Sequence, residues 1–150
     1  MLVLTGCGVG AGGGWQTVTG QGFRVAVPAG WTVTRTSGIL AASHGRIARV
    51  QVQRFRLVRP YRSTLFAAAA RELDGVATEV ARELHGHVTA RSTVEVDGAD
   101  ARSYRVAFGQ LVEELTFLLD GRTEFELLCR RAAATGDRVC ADFVSRFALT

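Results

Sequence analysis

An arginine-rich segment between Arg46 and Arg62 contains the residue types best suited to bind a charged ligand, and it has no acidic residue. The alternation of apolar side chains slips at Gln53-Arg54, and a β-bulge there would place Arg49, Arg54 and Arg56 on one face. Guanidinium groups bind phosphate and carboxylate through paired hydrogen bonds. The segment therefore predicts an anionic-ligand face of these three arginines, for a phosphate-bearing lipid, an anionic wall polymer or an acidic partner. A charged, solubilising strand face is the alternative.

The three histidines are the residues that could act as bases or metal ligands. His44 follows Ser43 directly, but adjacent residues rarely align as nucleophile and base. His85 and His87 could hold a metal ion together with a carboxylate, whereas a position at a helix end explains His85 without one. We predict no catalytic constellation, no metal and no cofactor. An envelope hydrolase or metal-dependent enzyme is the alternative, and it requires the three histidines to meet a carboxylate in one pocket.

The carboxylates form no obvious acid and base pair. Glu113 and Glu114 are neighbours on a predicted strand. Their side chains should point to opposite faces of the sheet, which excludes paired acid–base work. The remaining carboxylates are expected on solvated surface.

Cys129 and Cys140 are predicted to form a disulfide. Cys129 lies on the apolar side of an alternating segment, and Cys140 lies on a stripe of helical spacing with Phe143 and Phe147. Both thiols should face the same core, one from a strand and the other from a helix. A metal site is the alternative, but it would need two further ligands and no histidine follows His87.

The first residues resemble a bacterial lipobox. Leu4-Thr5-Gly6-Cys7 has an aliphatic residue, two small residues and the cysteine that takes the lipid, and a glycine-rich stretch follows it. The resemblance implies a signal-peptide remnant over 1–6, a lipidated Cys7 carrying diacylglyceryl and palmitoyl chains, and a tether over 7–19. Only Leu2, Val3 and Leu4 precede the box, so we expect the true start to lie upstream. The expected location is the outer face of the cell membrane.

The composition indicates which class of protein this is. The chain has 150 residues, a formal charge of +4 and a hydrophobic content of 47%, values typical of one globular domain. It contains arginine but no lysine, as GC-rich actinobacterial coding would produce. The basic excess is too weak to predict nucleic-acid binding. No apolar stretch approaches the roughly 18 residues of a membrane-spanning helix, so any membrane association is expected to come from the N-terminus.

The hydrophobic pattern predicts an α+β fold. A helix is expected from a cap at Ser63 to about Leu84, and a second from about Asp137 to Phe147. Asp97-Gly98 and Asp120-Gly121 predict tight hairpins and hence antiparallel pairing. The alternating segments are 22–27, 46–57, 88–96, 102–108, 111–119 and 123–130. The long helix is expected to bury a stripe of Leu65, Ala69, Leu73, Val76, Val80 and Leu84.

The segment Phe23 to Trp31, with the sequence FRVAVPAGW, resembles the opening motif of the PsbP-like superfamily. The order of helix, hairpin and terminal helix is similar over residues 20–149. The resemblance implies a single domain over 20–150 with an αβα sandwich used for binding and assembly, and it transfers no catalytic residue. We therefore expect a non-enzymatic, lipid-anchored binding or accessory protein with an envelope protein or anionic ligand as partner. A carrier or chaperone for a lipid or apolar segment is a further alternative, which requires an apolar groove beneath the long helix.

Overall fold

The computed structural model describes residues 14–150, and two antiparallel sheets and two helices account for most of them. No helix within this range is long and apolar enough to cross a bilayer. The elements of the first half are β1 (Trp15–Gly20), β2 (Phe23–Pro28), β3 (Thr32–Thr36), β4 (Ile39–His44), β5 (Ala48–Arg56), a short 3₁₀ turn (Ser63–Leu65) and α1 (Phe66–Glu83). Those of the second half are β6 (His87–Val96), β7 (Ala99–Phe108), β8 (Leu111–Asp120), β9 (Thr123–Ala132), α2 (Arg138–Ser145) and β10 (Ala148–Leu149).

The larger sheet has seven strands in the order β3-β4-β5-β9-β8-β7-β6, and the smaller has the order β1-β2-β10. Strands β6 to β9 form the predicted meander. Its first turn has positive φ at both Asp97 and Gly98, the conformation that a two-residue hairpin requires. The pairing of β5 with β9 joins the two halves of the chain. The expected α+β fold with antiparallel sheets is confirmed.

The smaller sheet and α2 cover one face of the seven-stranded sheet. The core between them is apolar, and Phe23, Phe125 and Phe147 meet at its centre with ring centroids 5.4–5.9 Å apart. Strand β10, which the sequence pattern did not reveal, returns the chain end to β2 through Ala148 and Leu149. This face therefore holds both ends of the described chain.

Helix α1 covers the opposite face over β6 and β7. The fully buried residues of α1 are Leu73, Ala77 and Ala81. The predicted stripe is confirmed at Leu73, Val80 and Leu84, which pack in the same cluster. It is wrong at Leu65 and Val76, which are 48% and 44% exposed. The two alanines face the sheet because small side chains let the helix approach it closely. The helix also begins at Phe66, after the 3₁₀ turn, and no side-chain hydrogen bond from Ser63 caps it.

The β-bulge expected at Gln53-Arg54 is also wrong. β5 pairs with β4 and β9 without a shift in register, and the irregularity of the sheet lies between Val88 and Ala90 instead. The alternation therefore continues, and Phe55 falls on the face opposite Val50 and Val52, where it is 40% exposed. The apparent slip reflects an exposed aromatic residue near the strand end.

The predicted tether is too long. β1 begins at Trp15, so a domain boundary at residue 20 falls inside a strand and residues 15–19 are not part of a tether. Cys7 and the segment 1–6 lie outside the described residues.

Candidate functional site

The structure places the three arginines of the predicted anionic-ligand face on two different faces of β5. Without a bulge, the side chains of Arg54 and Arg56 lie on the face of β5 that carries Val52, and Arg49 lies on the opposite face at the other end of the strand. The prediction that the three share one face is wrong. Arg54 and Arg56 still lie together, next to the turn between β8 and β9.

Arg54 is the most enclosed member of this pair. Its backbone N–H donates to the carbonyl of Gly38 at 3.0 Å, which ties β5 to the turn between β3 and β4. Its guanidinium carbon lies 5.7 Å from the ring centroid of Phe125, the residue opposite it on β9. The Nε atom is buried and has no hydrogen-bond partner among the described residues. A buried donor without a partner costs free energy, and a bound anion would supply an acceptor.

Arg54 lines two adjoining recesses at this end of the molecule. The first, of about 310 Å³, lies between the β1–β2 and β3–β4 turns and is also lined by Arg35. The Nη1 atom of Arg35 donates to the carbonyl of Thr19 at 2.6 Å, which holds the side chain beside the β1–β2 turn. The second, of about 370 Å³, is lined by Arg56 and Arg122. We name the two together the arginine recess, defined by Arg35, Arg54, Arg56 and Arg122.

No carboxylate balances the arginine recess. Its described lining contains no Asp or Glu, and none of its arginines forms an ion pair with another residue of 14–150. The primary structure explains this for Arg35, Arg54 and Arg56, because the first acidic residue of the chain is Glu72 and half of the 18 arginines precede it. This asymmetry of charge is visible in the sequence and was a better signal for the site than strand periodicity.

The histidines do not converge. His44 ends β4 and His87 begins β6, and strands β5, β9, β8 and β7 lie between them. At the usual strand spacing that is a separation of roughly 24 Å. Residues 14–150 contain no group of three or more His, Cys, Asp and Glu that could hold a metal ion. The arrangement that a histidine-based hydrolase requires is not formed by these residues.

Several carboxylates are enclosed in ion pairs, contrary to the expectation of solvated surface. Glu113 is 4% exposed and accepts hydrogen bonds from Nε and Nη2 of Arg130 at 3.0 and 2.9 Å. Glu114 points to the other face, as predicted, and binds Arg105 at 2.8 Å. Arg105 also contacts Asp137, just before α2, at 3.2 Å. These pairs join β7, β8, β9 and α2, so their evident role is to position elements.

A disulfide joins Cys129 and Cys140, with their Cα atoms 5.5 Å apart, which agrees with the predicted pairing. Cys129 lies on β9, Cys140 lies on α2, and both are buried. The bond therefore fixes α2 against the larger sheet.

Helix α1 packs closely on the sheet, and an open recess of about 410 Å³ lies beside this contact. Ala77 and Ala81 are buried directly against the sheet. That recess, between α1 and β6, has a mixed lining in which Arg82, His87 and Arg91 lie beside Ala81 and Val88. This geometry offers no support for a carrier of lipids or apolar segments.

Comparison by sequence finds no match to a family model or to a curated protein. Comparison by structure finds the solution structure of cyanobacterial PsbP (CyanoP) from Synechocystis sp. PCC 6803, with a TM-score of 0.65, 13% identity, and coverage of 98% of this chain and 99% of that one. A crystal structure from Bacteroides thetaiotaomicron VPI-5482 matches with a TM-score of 0.62 and 12% identity over 86% of this chain, which spans 45% of that longer chain. At these identities the likeness concerns the fold. The chain has a PsbP-like α+β fold.

Proposed function

We propose that this chain is a non-enzymatic accessory domain of an exported, lipid-anchored protein and that it recognises an anionic group at the arginine recess. The observation that carries the proposal is the gathering of Arg35, Arg54, Arg56 and Arg122 around one recess without a carboxylate. Like charges placed together repel one another, and a bound anion would relieve that repulsion.

The chemistry of the recess favours a phosphate-bearing ligand. A guanidinium presents its N–H groups as a planar fork that fits phosphate or carboxylate oxygens. Stacking on Phe125 holds one such fork at the centre of the recess, and the hydrogen bond to Thr19 holds a second at its edge. Two guanidinium groups that are already held in place lower the entropic cost of binding a group with several oxygens, such as a pyrophosphate or a polymer of phosphate esters.

The proposed anchor is a lipid on Cys7. The lipobox resemblance supports it, and the Cys129–Cys140 disulfide agrees with an oxidising compartment outside the cytoplasm. The described residues begin at Gly14, beside Trp15, which pairs with Pro28. The other end of β1, Gly20, pairs with Phe23 and lines the recess. A lipid on Cys7 would therefore leave the recess directed away from the anchoring membrane.

Calorimetric titration with inorganic pyrophosphate tests the recess. The double variant Arg54→Gln/Arg56→Gln is expected to bind at least about tenfold more weakly, because hydrogen bonds to charged groups contribute about 1.5–3 kcal/mol each. Arg49→Gln is the control, since it removes one positive charge from the same strand on the opposite face. Equal affinity of the double variant and the control would refute the site. Competition with glycerol 3-phosphate or with phosphatidylglycerol vesicles then separates a soluble phosphate ester from a lipid headgroup.

The anchor is tested separately by intact mass. Protein purified from membranes of a lipoprotein-processing bacterial host should begin at Cys7 and carry diacylglyceryl and acyl chains. Cys7→Ala should make the chain removable from the membrane fraction by a high-salt wash, which the lipid-anchored parent should resist. An unmodified Cys7 in the membrane-bound protein would contradict the proposed anchor.

A further inference from the structure

The end of the domain at which the described chain begins carries an unusual group of side chains. The carbonyl of Gly14 accepts a hydrogen bond from Ala29 at 2.8 Å, and Trp15 pairs with Pro28. The backbone N–H of Trp31 donates to the carbonyl of Pro28 at 3.3 Å. These contacts place both tryptophans of the chain at the same end as Gly14.

The turn between β4 and β5 lies beside them. His44 stacks on Trp31, with ring centroids 6.1 Å apart and planes 18° from parallel. The turn that follows His44 carries Arg46 and Ile47, and Ile47 is 42% exposed. At the other tryptophan, the guanidinium of Arg146 lies 4.9 Å from the ring of Trp15. We name this group the tether-end surface, defined by Trp15, Trp31, Arg46, Ile47 and Arg146.

This combination of residues is typical of a protein surface that meets lipid headgroups. Tryptophan rings favour the interface between water and hydrocarbon, where their apolar bodies and polar N–H groups are both satisfied. Arginines near an anionic bilayer are attracted to its negatively charged headgroups. An exposed aliphatic residue at a turn can enter the acyl boundary. No Asp or Glu occurs from Gly14 to Arg71, so no acid of these strands opposes the attraction.

We infer that the tether-end surface lies on an anionic phospholipid bilayer, the one that would hold the lipid on Cys7, and this inference rests on the proposed anchor. Seven residues, Gly8 to Gly14, separate Cys7 from Trp15 in the sequence. They span at most about 25 Å when extended, so the anchor would confine this end of the domain near the headgroups. Confinement raises the effective concentration of the surface at the bilayer, which makes a weak contact sufficient. The arginine recess, at the opposite end of β1, would then be presented to partners.

The test uses the full chain with Cys7→Ala, so that the protein carries no lipid and the surface is measured apart from the anchor. The probes are vesicles of phosphatidylcholine alone and vesicles of phosphatidylcholine and phosphatidylglycerol in equal amounts. Binding to the second and little binding to the first is expected. Because both tryptophans lie in the tether-end surface, their fluorescence should be quenched by brominated phosphatidylglycerol, a readout specific to this end of the molecule.

Matched variants locate the contact. Arg46→Gln/Ile47→Glu should weaken vesicle binding by about tenfold, as the loss of one cationic contact and one apolar contact predicts. Val58→Glu/Arg59→Gln is the control, because it makes the same kind of change at the opposite end, where Val58 is 95% exposed. The segment of the control lies next to the β8–β9 turn, since Leu57 donates its N–H to the carbonyl of Arg122. Both variants remain folded if their circular dichroism matches the parent.

Three outcomes would overturn the inference. The first is an absence of binding to either kind of vesicle. The second is an equal or larger loss in the Val58→Glu/Arg59→Gln control, which would assign lipid contact to the recess end. The third is binding without quenching of tryptophan by brominated lipid. None of these outcomes concerns the lipid on Cys7, because the vesicle assay uses protein without it. The anchor is tested by intact mass instead, so the two proposals can fail separately.

Discussion

The hydroxyl group of Tyr104 on β7 donates a hydrogen bond to the carboxylate of Asp74 on α1. The Nε atom of Arg102 lies 3.1 Å from Oδ1 of the same carboxylate. Hydrogen bonds from Tyr104 and then Arg102 lower the pKa of Asp74. Burial, followed by the bond to Asp74, raises the pKa of Tyr104 to about 12. One carboxylate therefore joins the long helix to the sheet.

Removal of this contact should loosen α1. Tyr104→Phe is expected to lower the free energy of unfolding by about 1.5–3 kcal/mol, the usual net contribution of a hydrogen bond to a charged group. The pKa of Asp74 is lower in the folded state, so its stabilising effect is present above the ordinary value of 3.8 and is lost as the pH falls through the folded value. Asp74→Asn should therefore reduce the loss of stability in acid. Urea denaturation from pH 2 to pH 6 measures both effects, and parallel curves for the parent and Asp74→Asn would contradict the second.

Glu126 on β9 should make the protein less stable as the pH rises. Burial, then the nearby charges of Glu124 and Glu113, raises the pKa of Glu126 to about 7. The folded state therefore holds a proton that the unfolded chain releases near pH 4.5, and the stability from this group is lost as the pH rises through about 7. Glu126→Gln should flatten this decline. Melting temperatures at pH 5 and pH 8 provide the measurement, with the exposed Glu95→Gln as the control; an unchanged decline in Glu126→Gln would show that another group is responsible.

The disulfide should contribute substantially to stability. Cys129→Ser/Cys140→Ser is expected to lower the free energy of unfolding by about 2–3 kcal/mol, because the bond closes a short loop and restricts the unfolded chain. A reducing agent should shift the parent protein to the stability of the variant and leave the variant unchanged. Cys7→Ala should retain the sensitivity to reduction. Equal urea midpoints for the oxidised parent and the variant would mean that α2 is held by its apolar contacts alone.

Alanine substitutions at two glycines, one inside α1 and one just after it, should change the stability in opposite directions. A Cβ at Gly75 would meet no atom within 4 Å, so Gly75→Ala should stabilise the protein by about 0.5–1 kcal/mol through helix propensity. A Cβ at Gly86 would lie 2.3 Å from the carbonyl oxygen of Ala107, and Gly86→Ala should therefore destabilise it. Thermal melts of the two variants test the pair. A loss of stability in Gly75→Ala would indicate that the helix needs flexibility at this position.

Local pattern was enough to predict most elements of the second half of the chain. Asp97-Gly98 predicts its hairpin because both residues tolerate positive φ, and that requirement is contained in two neighbouring residues. The pairing of Cys129 with Cys140 could be predicted for a similar reason, since strand alternation and helical spacing each assign a side chain to the core. In the first half, β1, β3 and β4 were not recognised, because their residues are largely small or polar and alternate weakly.

The sequence by itself determined the α+β class, the hairpins, the disulfide and the absence of acidic residues before Glu72, because each depends on neighbouring residues or on composition. Only the tertiary structure decided which residues share a site. The pairing of β5 with β9 fixed the register that separates Arg49 from Arg54 and brings Arg122 to the recess. Burial of Glu113 beside Arg130 was decided in the same way. Contacts between residues distant in the chain depend on how whole sheets pack, and no local pattern of side chains specifies that packing.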